Sequence, residues 1–263
     1  VEHCCDVGVK TVLSPMYECF PKAHHHPFDL YVCPSLLDME YFAEGGTFAG
    51  GTRPDWFGTQ GVYHDGSFGG QALFLPLPVE QPWKLRNEAR HFVHNGGYLG
   101  MRGREGTTLL IDALPHVRSD LKLTIRVQEN VKEPWLSKAK ADPRVAYVAA
   151  TVPYEELYAT ADVAVAPQKF NGCSLPLQEA FASGLCVCST DRFPMNTWLP
   201  RGPLIPVAGY QRAAIGGGYL EFDEAQLDPR AIAATLDRLY GTCIESYSLE
   251  GRRWAEANSW AVL

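Results

Sequence analysis

The sequence predicts an α/β fold, a doubly wound parallel sheet with helices on both of its faces. Between residues 91 and 240, short apolar strands alternate with helices of about ten residues, which is typical of a parallel sheet joined by helical crossovers. A glycine-rich loop at residues 95–108 joins one strand to the next helix. Prolines at positions 76, 78 and 82 form a stiff linker, so we expect a domain boundary near residue 80.

The first 80 residues predict only part of another α/β domain. Lys10–Leu13 and Phe28–Cys33 are expected to be short strands, and Leu36–Ala43 a helix. The run Leu73–Val79 predicts an extended strand that passes into the linker. Residues 45–70 are rich in glycine and aromatic side chains and predict a long loop. That loop is either a plain surface loop or one that orders over an acceptor and stacks its rings on a sugar.

The elements after the linker follow from the spacing of apolar residues. Apolar runs predict strands at His91–His94, Leu121–Val127, Arg144–Val148, Asp162–Ala166 and Leu185–Ser189. Helical spacing predicts helices at Thr107–Val117, Tyr154–Ala159, Pro176–Ser183 and, from Asp228-Pro229 onward, a helix with Ile232, Leu236, Leu239 and Ile244 on one face.

Composition and charge exclude several classes of function. The net charge is -7 and the pI ≈ 5.6, so the chain lacks the diffuse basic surface that a nucleic-acid partner needs. No apolar run reaches about 18 residues and no basic-then-apolar leader is present, so we expect a cytoplasmic protein without a transmembrane segment. The 8 cysteines form no CxxC pair, and His24–His26 have no further ligand at metal-binding spacing, so we expect reduced thiols and no metal site.

Two loops carry residues suited to a phosphorylated ligand. In the first, at residues 95–108, Arg102 and Arg104 offer guanidinium groups to phosphate oxygens, and Gly106 and Thr107 open a helix whose N–H groups favour an anion. A diphosphate fits this loop, although a surface loop with two solvated arginines fits it equally well. The match of this loop to a dinucleotide-binding fingerprint is weak, because its glycines are spaced by three and do not form G-x-G-x-x-G. Glu129 is an acidic residue at roughly the offset that the fingerprint requires, which keeps an oxidoreductase as a weak alternative.

The second loop follows the strand Asp162–Ala166. Pro176 begins the next helix, so backbone N–H groups beside it face the crevice at the strand ends. Glu179 lies in the first turn of that helix, where it is able to accept hydrogen bonds from the two hydroxyls of a ribose. The alternative role for Glu179 is purely structural, because an acidic side chain also stabilises a helix N-terminus.

Three segments resemble one enzyme family. Residues 154–167 run YEELYATADVAVAP, residues 175–187 run LPLQEAFASGLCV, and residues 103–107 run GREGT. They are similar to the helix, strand and donor motifs and to the phosphate loop of family 4 (group 1) glycosyltransferases, which have the GT-B fold. The resemblance covers residues 91–200 well and residues 9–80 only faintly.

The resemblance implies a role for each residue of the two loops. Glu179 occupies the position of the second of two family glutamates, which holds the nucleotide ribose, and Asn171 occupies that of the first, so both are candidate catalytic residues. Gly172 and Cys173 would contact the donor sugar. Residues expected at the donor phosphates are Arg102, Arg104, Gly106, Thr107, Ser174 and Leu175.

Two positions depart from the family pattern. Asn171 replaces a glutamate, and its amide can hydrogen-bond a sugar hydroxyl but carries no charge. Glu105 stands where the family has a basic residue, and its charge would oppose a diphosphate unless the side chain points away. Both departures bear on donor preference and on activity.

The resemblance also implies a domain organisation. We expect a partial N-terminal, acceptor-side Rossmann-like domain at 1–80, a C-terminal nucleotide-sugar-binding Rossmann-like domain at 81–245, and a helix at 246–263 that crosses back to the first domain. The chain is therefore expected to be a fragment of a longer protein, and a catalytic histidine to lie outside it.

The implied function is retaining transfer of a sugar from a nucleoside diphosphate to an acceptor that is a glycan, a lipid or a protein. No cofactor and no metal are expected, no nucleic acid is a partner, and peripheral contact with a membrane is compatible with the sequence. Two alternatives remain open: a nucleotide-sugar 2-epimerase, and a binding domain without catalytic activity.

Overall fold

The computed structural model describes residues 7–14, 28–38, 71–75, 77–97, 103–128, 133–198, 202–215 and 220–262. The chain divides into two compact units, one formed by residues 1–77 with 210–224 and the other by residues 78–209 with 225–263. The triple histidine, the whole of the loop predicted at 45–70, Glu129 and Arg102 lie outside the described residues.

The first unit contains a small parallel sheet of three strands. Its strands are β1 (Val12–Leu13), β2 (Leu30–Cys33) and β3 (Gln71–Phe74), in the order β1-β2-β3. Asp29 fixes the start of β2, since its carboxylate accepts hydrogen bonds from the Lys10 ammonium at 2.9 Å and from the Thr11 backbone N–H at 2.9 Å. Of the helix predicted from residue 36, the described residues show its first turn at 36–38.

The second unit is built on a parallel sheet of six strands. Along the chain these are β4 (His91–Gly97), β5 (Lys122–Val127), β6 (Val145–Ala149), β7 (Val163–Ala166), β8 (Cys186–Thr190) and β9 (Leu204–Ile205). Their spatial order is β6-β5-β4-β7-β8-β9. All residues of β7 and β8 are buried, as expected for strands covered on both faces.

Helices cover both faces of this sheet. Those described in the second unit are α1 (Thr107–Ala113), α2 (Trp135–Ala141), α3 (Leu175–Ala182), α4 (Met195–Trp198), α5 (Pro229–Leu239) and α6 (Glu245–Ala257). Strands β10 (Gly209–Ile215) and β11 (Leu220–Gln226) form a separate pair.

The two faces have separate apolar cores. On one face Phe92, Val163 and Cys186 pack with residues of α1 and α5, and on the other Val93 and Ala164 pack with residues of α3. Helix α6 lies close against α3: a Cβ at Gly251 would lie 2.2 Å from the Phe181 carbonyl oxygen, so only glycine permits this approach. The predicted doubly wound α/β sheet is confirmed.

Three helix predictions were inaccurate at the C-terminal end of the helix. The helix predicted at Tyr154–Ala159 is a 3-10 turn over Tyr154–Glu156. The helix predicted to run to Val117 ends at Ala113, and a 3-10 turn follows over Leu114–His116. Pro115 has no backbone N–H, so it cannot continue the hydrogen bonds of the α-helix. The prediction that Ile244 lies on the helix starting at Asp228-Pro229 is wrong, since that helix ends at Leu239, and Gly241 then takes a left-handed conformation with φ +76. Helix α2 and strand β9 were not predicted.

Candidate functional site

The strand order reverses direction beside β4. The chain leaves β4 toward β5 on one side and reaches β7 on the other, with Phe92 paired to Val163 and Val93 paired to Ala164. In doubly wound sheets the crevice at such a reversal, beyond the carboxyl ends of the strands, is where ligands bind. The loops that follow β4 and β7 are the two loops that carry the predicted site residues.

The loop before α1 lies directly against the end of β7. Gly106 has φ +81, and a Cβ there would lie 2.0 Å from the carbonyl oxygen of Pro167. The backbone N–H of Lys169 donates to the carbonyl oxygen of Arg104 at 2.8 Å. The fold therefore brings the predicted phosphate loop and the predicted sugar loop into contact, and glycine at 106 is a condition for that contact.

Amide side chains fix the conformation of the loop after β7. Asn171 Oδ1 accepts from the Ser174 N–H at 2.8 Å, the Ser174 hydroxyl donates to Gln168 Oε1 at 2.9 Å, and Gln178 Nε2 donates to the Cys173 carbonyl oxygen at 2.7 Å. Ser174 takes a left-handed conformation with φ 49 just before α3. The amide oxygen of Asn171 thus shapes the loop that was expected to contact the sugar.

A buried arginine anchors the start of the same loop. The Lys169 carbonyl oxygen accepts from Arg192 Nη1 at 2.6 Å and from the Ala225 N–H at 3.0 Å. The Arg192 guanidinium also lies over the Phe170 ring, 5.1 Å from the ring centroid, where a cation is attracted to the aromatic face. The loop is therefore held at both ends, by Arg192 near Lys169 and by the amide contacts near Ser174.

Glu179 faces two tyrosines that follow β6. The buried Tyr158 hydroxyl lies 3.1 Å from Glu179 Oε2 and 2.9 Å from the Pro176 carbonyl oxygen. Burial raises the pKa of Glu179, and the hydroxyls of Tyr158 and Tyr154 oppose that rise. The carboxylate is thereby held in one orientation at the first turns of α3, beside the crevice.

The role of Tyr158 was not foreseen from the sequence. Tyr158 lies in the segment that carries the family resemblance, 21 residues before Glu179, and the spacing alone did not connect them. Two arginines fix the turn around it: Arg86 Nη2 donates to the Tyr158 carbonyl oxygen at 3.0 Å, and Arg126 Nη1 donates to the Leu157 carbonyl oxygen at 2.6 Å.

A buried histidine lies beneath the phosphate loop. His94 Nδ1 is 2.9 Å from the Val165 carbonyl oxygen, and His94 Nε2 is 2.8 Å from the Thr107 hydroxyl. Because a carbonyl oxygen only accepts, Nδ1 carries the hydrogen, and the Thr107 hydroxyl donates to Nε2 of the neutral ring. The Thr107 side chain therefore supports the loop from below, which leaves its backbone N–H as the group for a phosphate.

The buried His94 ring should make the protein sensitive to acid. Burial lowers the pKa of His94 to about 4, below the value of about 6.5 in an unfolded chain. Between these two pKa values the unfolded chain binds a proton on His94 and the folded chain does not. The contribution of His94 to the unfolding free energy is therefore fully present above the unfolded-state pKa, and it declines as the pH falls toward the folded-state pKa. We expect His94 to account for a loss of about 2 kcal/mol in unfolding free energy between about pH 7 and about pH 5.

Urea unfolding at the two pH values measures this loss. His94→Gln keeps an amide donor and acceptor but does not titrate, so its stability should fall less than that of the wild type by about that amount. An equal loss in both proteins would show that His94 is not the group responsible.

The structure gathers nearly all of the predicted site residues at one edge of the sheet. The described ones, on the two adjoining loops and the start of α3, are Arg104, Gly106, Thr107, Asn171, Gly172, Cys173, Ser174, Leu175 and Glu179. Arg102 lies outside the described residues. A cavity of about 20 Å³ at the ends of β4 and β7 is lined by His94, Asn95, Glu105, Tyr158 and Gln168 among others.

Within the described ranges, no group of three or more His, Cys, Asp or Glu side chains is arranged to hold a metal ion. Among the described helices, none combines the length and the apolar character that a membrane crossing requires.

Comparison with known proteins gives a family match to the second unit. Residues 92–203 match the family model described as "Glycosyl transferases group 1". The fold of the chain is that of GT-B glycosyltransferases. No curated protein sequence matches the chain.

Several solved structures share this fold. A structure described as the GtfA/B complex matches with a TM-score of 0.62 at 14% identity, over 97% of this chain and 50% of that one. The structure of the pneumococcal O-GlcNAc transferase GtfA in complex with UDP and GlcNAc matches with a TM-score of 0.58 at 14% identity, over 88% of this chain and 42% of that one. Sucrose-phosphate synthase from Thermosynechococcus elongatus matches with a TM-score of 0.58 at 16% identity, over 89% of this chain and 55% of that one. The chain thus spans about half the length of these proteins.

Proposed function

We propose that this chain forms the donor-binding part of a retaining glycosyltransferase, which moves a sugar from a nucleoside diphosphate to an acceptor. The observation that carries the proposal is the contact between the two loops at the carboxyl ends of β4 and β7, made by the Lys169–Arg104 backbone hydrogen bond and by the close approach of Gly106 to Pro167. This contact supports the proposal because it brings the residues proposed to bind the phosphates next to those proposed to bind the sugar, at the edge where a doubly wound sheet binds its ligand.

Each part of the donor then has a counterpart in the site. The ribose hydroxyls donate to the Glu179 carboxylate, which Tyr158 orients. The diphosphate lies over the Gly106–Thr107 backbone and the N-terminus of α3 at Ser174 and Leu175, with Arg104 as its cation. The sugar lies against Asn171, Gly172 and Cys173.

This arrangement would favour departure of the nucleoside diphosphate. Negative charge accumulates on the leaving diphosphate as the glycosidic bond breaks, and fixed N–H groups and a guanidinium stabilise that charge without having to reorganise. The proposed reaction therefore needs no divalent metal. Crystals of the pneumococcal transferase contain UDP and GlcNAc, which makes UDP-sugars the first donors to test.

One observation favours a second candidate function, a domain that binds a nucleotide sugar without transferring it. Asn171 carries no charge, and its amide oxygen already accepts from the Ser174 N–H at 2.8 Å. An uncharged amide that also holds the loop in place can hydrogen-bond the sugar but cannot stabilise charge on it, which favours donor binding without turnover.

Incubating the chain with UDP-, GDP- and ADP-sugars distinguishes these functions. Release of the nucleoside diphosphate together with a transferred or hydrolysed sugar that keeps its anomeric configuration in proton NMR supports a retaining transferase. Inverted configuration contradicts the retaining mechanism, and an epimerised sugar indicates the 2-epimerase. Tight binding without any product, in the presence of candidate glycan, lipid and protein acceptors, indicates the binding domain.

Arg104→Ala should weaken binding of UDP about tenfold, because a charge-assisted hydrogen bond contributes about 1.5–3 kcal/mol before solvent screening. The fold should survive, since Arg104 contacts Lys169 through its backbone carbonyl oxygen, which alanine retains. Calorimetry with uridine, which has no phosphate, should show the same affinity in both proteins.

Arg253→Ala, at an exposed position on α6, is the matched control and should bind UDP as the wild type does. If Arg104→Ala binds UDP and uridine with wild-type affinities, Arg104 does not contact the phosphates.

A further inference from the structure

Glu105 directly precedes Gly106 in the loop over which the proposed function places the diphosphate, and its side chain turns inward beneath that loop. It helps to line a small cavity at the ends of β4 and β7, together with His94, Tyr158 and Gln168. Its Oε2 atom is buried and has no hydrogen-bond partner within the described part of the chain. A buried carboxyl group therefore lies beneath the backbone that is proposed to bind two phosphates.

The direction of the hydrogen bond made by the Thr107 hydroxyl favours a neutral Glu105 carboxyl group. The Thr107 hydroxyl lies within hydrogen-bonding reach of this carboxyl group, but it donates to His94 Nε2 at 2.8 Å, because the neutral His94 ring donates from Nδ1 to the Val165 carbonyl oxygen. A hydroxyl donates one hydrogen. Glu105 and Thr107 thus complete a hydrogen bond only when Glu105 carries the proton and donates it.

Burial and the groups around Glu105 act on its protonation in opposite directions. Burial raises the pKa of Glu105, and its own backbone N–H, the Thr107 hydroxyl, Lys169 and Arg104 oppose the rise. Within the described lining of the cavity, the other titratable groups are His94 and Tyr158, and burial holds both in their neutral forms. A diphosphate arriving beside this group adds negative charge, which further favours the protonated carboxyl.

We propose that the Glu105 carboxyl group becomes neutral when the donor diphosphate binds to the loop above it, so that donor binding takes up one proton from solvent. The inference rests on the proposed function, since it assumes that the diphosphate lies at this loop. The proton removes the charge repulsion that an ionised Glu105 would exert, and it completes the hydrogen-bonded series from Glu105 through Thr107 and His94 to the Val165 carbonyl oxygen.

Calorimetric titration of the full chain with UDP, in buffers of different ionisation enthalpy, counts the protons taken up. We expect the wild type to take up more protons than Glu105→Gln, by as much as one proton at pH values where free Glu105 is ionised. Glutamine keeps the shape and a hydrogen-bond donor but cannot take up a proton. UDP itself titrates equally in both titrations, so the difference belongs to Glu105.

The affinity for UDP should show the same linkage. Between the pKa of Glu105 in the free protein and its higher pKa in the complex, the wild-type Kd should rise by up to about tenfold per pH unit relative to that of Glu105→Gln. Below that range Glu105 is already protonated and the two proteins should show parallel pH dependence. Glu250→Gln, at an exposed position on α6, is the matched control and should behave as the wild type.

Equal proton uptake in the wild type and Glu105→Gln would overturn the inference. So would UDP binding that a chelator abolishes and Mg²⁺ restores in the wild type but not in Glu105→Gln, because an ionised Glu105 would then hold a cation between itself and the phosphates. If UDP, GDP and ADP all fail to bind at every pH, the proposed function itself fails.

Discussion

Replacing Glu179 by alanine is expected to weaken binding of nucleoside diphosphates by about tenfold to a hundredfold, because hydrogen bonds to a charged group contribute about 1.5–3 kcal/mol. The substitution removes the acceptor for the two ribose hydroxyls. It should cost little stability, since the Tyr158 hydroxyl keeps the Pro176 carbonyl oxygen at 2.9 Å as an acceptor. Calorimetry with UDP measures the affinity, and urea unfolding measures the stability.

A ligand without the hydroxyls separates this role from a general defect. A 2′,3′-dideoxyribose analogue of UDP should bind the wild type and Glu179→Ala with similar affinity, because it offers no hydroxyl to the carboxylate. Wild-type affinity of Glu179→Ala for UDP itself, with the fold intact, would leave Glu179 with only its structural role at the start of α3.

Gly106→Ala should disrupt the contact between the two loops and abolish donor binding. A residue with a Cβ in the left-handed region costs about 1–2 kcal/mol, and the Cβ would also lie 2.0 Å from the Pro167 carbonyl oxygen and 2.8 Å from its carbon. Both atoms belong to the backbone at the end of β7, so the strain is relieved only if the loops separate. We expect a loss of about 3 kcal/mol or more in unfolding free energy.

Gly241→Ala is the matched control for the backbone cost. Gly241 has φ +76, close to the φ +81 of Gly106, and its Cβ would lie at an ordinary 3.9 Å from Glu88 Oε1. This variant should lose only about 1–2 kcal/mol and should bind UDP normally. Similar stability losses in the two variants, with UDP binding kept in both, would show that the close approach at Pro167 is not required.

The sheet and its two ligand-facing loops could be predicted because their signals are local. Apolar runs separated by glycine and proline mark the strands and helices, and the loops after β4 and β7 follow from them. Gly106 and Pro176 were placed correctly at the starts of helices for the same reason. The family resemblance then connected the two loops, and the contact between Arg104 and Lys169 shows them adjoining.

The polar contacts within the site could not be predicted, because they join side chains from different elements. His94 contacts Val165 across 71 residues, and Tyr158 reaches Glu179 across 21. Helical or strand periodicity indicates which face a residue occupies but not which polar group it meets. The direction of the Glu105 side chain also needed coordinates, which show it turned inward, lining the small cavity at the ends of β4 and β7.

Hydrogen exchange of the backbone amides, with and without UDP, tests the location of the donor site most directly. We predict slower exchange with UDP in peptides that cover Gly103–Thr108 and Gly172–Glu179, at the carboxyl ends of β4 and β7. Peptides at the opposite edge of the sheet, such as Arg118–Leu121 and Asp142–Arg144, should exchange at unchanged rates. Binding of UDP that protects the opposite edge, or that leaves both loops unprotected, would contradict the proposed site.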